Sequence, residues 1–324
     1  MSNQTTDDII AALGLRGELA LLQDQIGAWV SHSNPEVREA LEWQFRAASK
    51  YFRPLTIFSC HRAVSTEPVP PSLILAALVL EMFHNVSLIV DDIVDKSSHR
   101  RGKPTLHCQF GELPALMVAG YIVADGFEMI SDETGYEQDA LRDRAIIRYN
   151  LELLSELLKR LGAAECMQWR LRRQPLGVED WRRIAGEDTG SMFEVCACLG
   201  GRAETLRRFG HLLGLLYHGC DDVGDVRGAE ALGGGGHEDI RDGILTLPAA
   251  LAIRDPAVAE LFCRPAPDTN DLTVLGKAFA DRLPEAEQYL DRIADEAREQ
   301  ARKFSRTPGP LLSLVDHTRE LSRR

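Results

Sequence analysis

The sequence predicts an all-α protein, a single helical domain over residues 1–324 whose ligand site lies inside the bundle. Apolar residues recur at three- and four-residue spacing along most of the chain, which is the period of an amphipathic helix. No stretch shows sustained apolar and polar alternation with β-branched enrichment, so strands are not expected. Proline and glycine clusters separate the helical segments, and no linker is long or biased enough to mark a domain boundary.

Nine segments carry the helical period, and helix stop signals fall between them. The predicted helices are residues 8–29, 36–50, 72–96, 107–130, 138–161, 178–199, 203–225, 247–262 and 284–305. The stop signals lie at residues 35, 70–71, 104, 175–177, 233–236, 265–267 and 308–310. The third helix holds the most apolar run, residues 73–90, but Glu81, His84 and Asn85 interrupt it. Each would be costly in lipid, so we expect a buried core helix and no membrane span.

The composition is that of an ordinary soluble globular protein, with 44% hydrophobic and 27% charged residues. The 49 acidic residues outnumber the 37 basic ones and give a net charge of −12, which argues against nucleic acid as a partner. The seven cysteines are scattered and form no CxxC pair, so neither a disulfide framework nor a zinc site is expected. The first ten residues show no signal-peptide pattern, and the expected location is the cytoplasm.

Two short acidic motifs close apolar helices: DDIVD at residues 91–95 and DDVGD at residues 221–225. Because positions i and i+4 share a helix face, the first and last aspartates of each motif project together and repel each other. A solvated acidic helix end explains one such motif, but two copies indicate bound cations. Mg²⁺ takes one or two carboxylates and completes its shell with water and phosphate oxygens. The candidate metal ligands are Asp91, Asp92, Asp95, Asp221, Asp222 and Asp225.

Basic side chains lie close to the first acidic motif. Arg100 and Arg101 follow it within ten residues, while Lys50 and Arg53 precede it. Arginine matches diphosphate oxygens in a bidentate way, and lysine supplies a point charge. His84 lies seven residues before the motif, two turns away on nearly the same helix face, which favours a phosphate-donor role as much as a core role.

These motifs resemble those of the trans-isoprenyl diphosphate synthases of the polyprenyl synthetase family. The matching sequences are KYFRP at 50–54, EMFH at 81–84, DDIVD at 91–95 with RRG at 100–102, and DDVGD at 221–225. The resemblance covers roughly residues 45–250. It implies a helical bundle of the isoprenoid synthase type, with a central active-site cavity, both aspartate motifs at its mouth, and a homodimeric assembly.

The resemblance also implies a reaction and a set of roles. The reaction is the Mg²⁺-dependent condensation of isopentenyl diphosphate with an allylic diphosphate, which is farnesyl, geranyl or dimethylallyl diphosphate. The six aspartates would hold Mg²⁺ ions that bridge the allylic diphosphate, and Arg100 would contact the same diphosphate. Thr189 would help to shield the allylic cation. The residues that would hold isopentenyl diphosphate are Lys50, Arg53, His84 and Arg101.

The sequence departs from the family at three lysines around the allylic diphosphate, whose positions are occupied by Asp188, Gly234 and Ile244. Their absence should weaken allylic binding or alter ionisation, and Arg227 and Arg241 are candidate substitutes by proximity in sequence. Two alternatives stay open: a class I terpene cyclase or irregular prenyl-coupling enzyme, and a weakly active partner subunit of a prenyl synthase. The intact basic set argues against the first, and the two intact aspartate motifs argue against the second.

Product length is predicted from the residues that precede Asp91. Val86 and Ser87, five and four residues before it, are of modest size, whereas family members that stop at fifteen carbons often carry aromatic rings there. Phe83 lies one turn deeper on the same helix face. We expect Phe83 to form the floor of the cavity and the product to be geranylgeranyl diphosphate; the alternative is that Phe83 simply packs in the core.

Overall fold

The computed structural model describes residues 9–46, 49–100, 102–132, 140–228 and 236–323. Within these ranges the chain is almost entirely helical, so the all-α prediction is confirmed. The helices of the first half are α1 (Arg16–His32), α2 (Pro35–Phe45), α3 (Phe52–Val64), α4 (Pro71–Val94), α5 (Leu106–Phe110), α6 (Glu112–Ser131) and α7 (Ala140–Leu171). A two-residue antiparallel ladder, β1 (His99–Arg100) with β2 (Lys103–Pro104), lies between α4 and α5.

The second half begins with α8 (Val178–Ala185), a π-helical turn (Gly186–Gly190) and α9 (Ser191–Gly201), which together replace one predicted helix. It continues as α10 (Arg207–Val226), α11 (Gly236–Asp242), α12 (Leu247–Ala252), α13 (Pro256–Phe262), α14 (Thr269–Ala280), α15 (Leu283–Phe304) and α16 (Gly309–Glu320), with short 3₁₀ turns at Glu204–Leu206 and Leu321–Arg323. Helices α3, α11, α14 and α16 were not predicted. The expected stop at residues 308–310 instead begins α16, because a proline is tolerated in the first turn of a helix.

Helices α3, α9 and α10 pack backbone to backbone beneath the site. A Cβ atom on Gly200 of α9 would lie 2.2 Å from the carbonyl oxygen of Ile57 on α3, and one on Gly210 of α10 would lie 2.3 Å from that of Phe193 on α9. Such approaches are possible only without a side chain. The buried apolar residues of the described ranges form one continuous cluster around these helices and α4.

Two helices, α4 and α6, are long and apolar enough to cross a membrane by length and composition alone. In α4, 72% of the most apolar stretch is buried inside the protein, as expected for the core helix of a bundle. In α6 only 33% is buried, and Leu113, Leu116 and Met117 are exposed on its outer face. The outer face of α6 is therefore an apolar surface that nothing in the described part of the chain covers.

Candidate active site

A cavity of about 250 Å³ opens between the C-terminal halves of α4 and α10. Its remaining walls come from the first turn of α3, the residue Arg100 of the ladder, the π-helical turn and α9. Residues far apart in the sequence meet in this cavity because the helices that end in the two acidic motifs, α4 and α10, both pack on α9. The predicted site residues that line it are Lys50, Arg53, His84, Ser87, Asp91, Arg100, Thr189 and Asp221.

The start of α3 forms a positively charged wall of the cavity. Tyr51 caps the helix in the left-handed conformation, at φ +47°, and so turns Lys50 and Arg53 toward the cavity. The Arg53 guanidinium lies 3.0 Å from Nε2 of His84 and 5.7 Å above the ring of Phe193. The positive end of the α3 dipole adds to these charges, so this wall is suited to an anion.

The opposite wall is acidic, because both aspartate motifs stand at the C-terminal ends of their helices. The negative end of a helix dipole disfavours carboxylates, so this placement lowers stability. Burial raises the pKa of Asp91 well above its usual value, and Glu165 and Asp188 raise it further. Burial likewise raises the pKa of Asp221 to about 7, with a further contribution from Asp225.

The two neighbouring aspartates of each motif have different surroundings. Asp91 and Asp221 line the cavity, whereas Asp92 and Asp222 point about 100° away around the helix and are almost fully buried. Asp92 accepts a hydrogen bond from Nε of Arg100 at 2.8 Å. Oδ2 of Asp222 accepts two, from Nε1 of Trp181 and from the backbone N–H of Leu247, each at 2.8 Å. The second aspartates are therefore fixed by protein donors.

The carboxylates that remain fit a hard divalent cation. Oδ1 of Asp91 is buried and accepts no hydrogen bond within the described part of the chain. Oδ1 of Asp95 accepts a hydrogen bond from Nη2 of Arg172 at 2.7 Å. No group of three or more metal-ligating side chains converges among the described residues. The buried Oδ1 of Asp91 suits Mg²⁺, which uses few carboxylates and takes water and phosphate oxygens for the rest of its shell.

A hydrogen-bonded cluster occupies the wall where Asp188 replaces a family lysine. The Thr189 hydroxyl donates to Oδ2 of Asp188 at 2.9 Å and lies 2.9 Å from Nδ1 of His218. Nε2 of His218 faces Oδ1 of Asp222 at 3.7 Å. Burial lowers the pKa of His218, but Asp222 and Asp188 together outweigh burial and raise it to about 9. His218 was not among the predicted site residues, although it lies four residues before Asp222 and therefore on the same helix face.

The residues predicted to replace the family lysines, Arg227 and Arg241, are both engaged in ion pairs elsewhere. Arg227 is a poor lysine substitute, because it pairs with Glu287 at 2.6 Å and donates to the carbonyl of Ser322 in the C-terminal turn. Arg241 pairs with Asp242 at 2.8 Å on the surface, and Ile244 follows in the loop before α12. Arg101 and Gly234 lie outside the described residues.

The residues predicted to set product length all belong to α4 but do not all line the described cavity. Ser87 lines the described cavity, but Phe83 and Val86 are not among its described lining residues. Phe83 is fully buried against α6, with its ring centroid 5.2 Å from that of Phe127 and its edge against Gly126. The floor assignment thus stays a prediction about the apolar end of the site, below the cavity.

The fold and the site define a class: an all-α protein whose cavity has a basic wall suited to an anion and, opposite it, a wall of buried carboxylates. Residues 34–273 match the family model described as polyprenyl synthetase. The chain therefore belongs to the polyprenyl synthetase family, whose members are trans-prenyltransferases.

Relatives in this family carry products of different length in their names. The chain is 24% identical to nonaprenyl diphosphate synthase of Mycobacterium tuberculosis, over 96% of this chain and 94% of that protein. It is 32% identical to the chloroplastic geranylgeranyl pyrophosphate synthase 11 of Arabidopsis thaliana, over 71% of this chain and 68% of that protein.

The solved structures show the same fold. Polyprenyl synthase from Caulobacter crescentus CB15, complexed with calcium and isoprenyl diphosphate, superimposes with a TM-score of 0.84 at 24% identity over 98% of both chains. Geranylgeranyl pyrophosphate synthetase from Pyrococcus horikoshii Ot3 superimposes with a TM-score of 0.82 at 22% identity, over 98% of this chain and 99% of that one.

Proposed function

We propose that this chain is a Mg²⁺-dependent, chain-elongating prenyltransferase that condenses isopentenyl diphosphate with an allylic diphosphate to form geranylgeranyl diphosphate. The observation that carries the proposal is the cavity in which Lys50, Arg53 and His84 face Asp91 and Asp221. The basic wall is the site for isopentenyl diphosphate, and the acidic wall is the site for the allylic diphosphate with its metal ions. Both substrates then meet within one cavity, as condensation requires.

The side chains of the cavity suit the ionisation of an allylic diphosphate. Bound Mg²⁺ would supply Lewis-acid stabilisation of the departing diphosphate. Arg100 adds a fixed positive charge to the same anion while it also holds Asp92 in place. The double bond of isopentenyl diphosphate then attacks the allylic carbocation, and the new carbocation loses a proton to the released diphosphate, which forms the product's double bond.

Aromatic rings protect that carbocation. Phe52 and Tyr217 line the cavity with their centroids 5.3 Å apart, and Phe193 stacks behind both at 6.1 and 5.5 Å. The faces of such rings attract cations, and their apolar bulk excludes water that would otherwise trap the cation as an alcohol. Thr189 completes this wall on the side of the π-helical turn.

Product length is the finest part of the proposal. The relatives share one fold but differ in product, so the fold alone does not set the length. A chain that grows along α4 away from Asp91 would meet Phe83, a fully buried aromatic ring two turns before Asp91. A floor at this depth supports a product of twenty carbons.

The remaining features of the proposal concern the whole chain. We propose that the protein is a cytoplasmic homodimer of single-domain subunits. The continuous core supports one domain, and the exposed apolar face of α6 supports a second copy as its cover. The buried charged residues at the end of α4 support a core helix and no membrane span.

A product assay tests the proposal directly. The purified chain is incubated with isopentenyl diphosphate, Mg²⁺ and each of the three allylic starters, and the products are identified by chromatography and mass spectrometry. We expect geranylgeranyl diphosphate, lost when Mg²⁺ is chelated or Lys50 is replaced by Ala. A hydrocarbon product would instead indicate a cyclase, and absence of turnover by the chain alone would indicate a partner subunit.

A further inference from the structure

Helix α7 contributes a row of side chains that faces the first aspartate motif. Glu165, Trp169 and Arg172 follow one another at spacings of four and three residues, so they lie on one side of α7 and the turn that follows it. Arg172 donates to Oδ1 of Asp95 at 2.7 Å. Burial, followed by Asp188 and Asp95, raises the pKa of Glu165 to about 7. The row is therefore next to the first aspartate motif, with Arg172 beside Asp95 and Glu165 near Asp91.

The turn that carries Arg172 is anchored by hydrogen bonds of the next residue, Arg173. Arg173 adopts the left-handed conformation at φ +57°, and its backbone N–H donates to the carbonyl of Gly243 at 2.9 Å. Its guanidinium donates to the carbonyl of Arg241. Gly243 has no room for a side chain, because a Cβ atom there would lie 2.3 Å from Cγ of Arg173. The turn is thus joined to the segment that follows the second aspartate motif.

The Arg172 side chain keeps donors available. Its guanidinium lies 4.6 Å above the ring of Trp169, which is itself 59% exposed, an unusual position for a tryptophan. Stacking holds the guanidinium by its face and leaves the N–H groups at its edge unobstructed. Nη2 bonds Asp95, while the buried Nε has no hydrogen-bond partner within the described part of the chain.

We propose that Arg172 is a diphosphate-binding residue, which exchanges its carboxylate partner Asp95 for diphosphate oxygens of the substrate. This inference rests on the proposed function. Trp169 keeps the guanidinium beside the first aspartate motif during the exchange, and Arg173 keeps its turn in place. Arg172 thereby supplies, from the turn after α7, a positive charge next to the carboxylates of Asp95 and Glu165.

The test measures the affinity of the full-length chain for inorganic pyrophosphate by calorimetry, in the presence of Mg²⁺. We expect Arg172→Ala to weaken this affinity about 10- to 100-fold, since charge-assisted hydrogen bonds to the anion are lost. Arg172→Lys should restore part of the loss, because lysine keeps the charge without the fork. Arg170→Ala is the matched control: Arg170 is exposed, lies two residues away, and carries the same charge.

Three results would overturn the inference or separate it from the proposed function. If Arg172 only holds Asp95 in place, Arg172→Ala and Arg172→Gln will match Arg170→Ala in pyrophosphate affinity while the affinity for Mg²⁺ alone changes. If wild-type protein forms product and Arg172→Gln keeps the wild-type KM for the allylic substrate, the inference is wrong and the proposed function stands. If wild-type protein binds no pyrophosphate with Mg²⁺ and forms no product, both proposals are wrong.

Discussion

Asp221 and Asp222 are adjacent in the sequence, yet their carboxylates have different surroundings, because Asp221 lines the cavity and Asp222 accepts two hydrogen bonds from buried donors. Burial disfavours the charge of Asp221, and Asp225 and Asp222 repel it further. We expect Asp221→Asn to lower activity roughly 100-fold or more, through loss of a metal ligand, and to raise the Tm of the metal-free protein. Thermal unfolding with and without Mg²⁺ checks this. A lower Tm for the metal-free variant would contradict the repulsion argument.

Asp222 has a structural role as well as a place in the motif. Its Oδ2 is the acceptor for the buried donors of Trp181 and Leu247. We expect Asp222→Ala to lower the free energy of unfolding by about 3 kcal/mol, because two buried N–H groups lose their partner. Urea unfolding checks this, and Asp222→Asn, which keeps an acceptor oxygen, is the matched variant and should lose less.

Glu194 lies outside the site and makes the protein sensitive to acid. Its carboxylate binds Nδ1 of His211 at 2.7 Å, Arg160 at 2.7 Å and Arg207 at 3.1 Å. Burial raises its pKa, but the bonds from His211 and Arg160 outweigh burial and lower it to about 2 from the ordinary 4.5. Since the folded-state pKa is the lower one, this stabilisation is complete above pH 4.5 and disappears as the pH falls toward 2.

The expected size of that effect is about 3 kcal/mol, from 1.36 kcal/mol for each unit between the two pKa values. We expect Glu194→Gln to cost this much at pH 7 and progressively less below pH 4.5. Urea unfolding of both proteins at pH 7, 5, 4 and 3 measures the difference. A difference that stays constant over this range would show that the ionised carboxylate is not the source of the stability.

Sequence patterns predicted some residues of the site, but not the partners that fix those residues in place. The i, i+4 spacing identified the acidic motifs, and counting two turns back placed His84 in the cavity. The partners of Asp222 were not predictable, because Trp181 and Leu247 lie 41 and 25 residues away. Arg172 was not predictable either, because its partner Asp95 lies 77 residues away in the sequence. Its three-residue spacing from Trp169 occurs on the surface of any helix and so does not indicate a site.

At the level of elements, helix α3, which was not predicted, shows why the helical spacing of apolar residues does not identify every helix. Ten of its 13 residues are buried, so apolar and small side chains occur on every side of the helix. No polar face is then present to reveal the helical period. Its start nevertheless carries Lys50, Arg53 and much of the basic wall. Residues 50–54 resemble a family motif, and this resemblance predicts the basic residues of the wall although the helical spacing does not predict the helix.

The contact between α4 and α6 gives a test of product length. Phe83 packs where Gly126 has no side chain, since a Cβ atom there would lie 2.6 Å from the ring. If Phe83 is the floor, Phe83→Ala should give products longer than twenty carbons and lower the free energy of unfolding by about 3–5 kcal/mol. Chromatography of the products measures the first effect, and urea unfolding the second.

The control for Phe83 is a buried phenylalanine that is remote from α4. Phe262 on α13 is as buried as Phe83 and packs on Phe279 at 6.3 Å. Phe262→Ala should lose similar stability and keep the wild-type product. Longer products from Phe262→Ala as well would mean that a loosened core, and not the floor, controls length. An unchanged product from Phe83→Ala would refute the floor assignment.

For the whole molecule, the net charge of −12 and the binding of an anionic substrate are compatible because the charges are segregated. The cavity concentrates Lys50 and Arg53 on one wall, and under the proposed function metal ions would reverse the field of the acidic wall. Net charge is a sum over the surface and carries no information about this separation. The net charge therefore argues against nucleic acid as a partner, whereas the aspartate and basic motifs predict a diphosphate ligand.

The exposed face of α6 leads to the last prediction, which concerns assembly. Leu113 and Met117 are 68% and 61% exposed, one turn apart, on a helix that is otherwise strongly apolar. In a two-fold symmetric dimer each substitution occurs twice, once on either side of the interface, so Met117→Glu buries two charges. We expect wild-type protein to sediment at twice the chain mass of 36.0 kDa and Met117→Glu at that mass itself. Leu21→Glu, on α1, replaces an equally exposed residue and should remain dimeric. A monomeric wild type, or a dimeric Met117→Glu, would mean that α6 is not the interface.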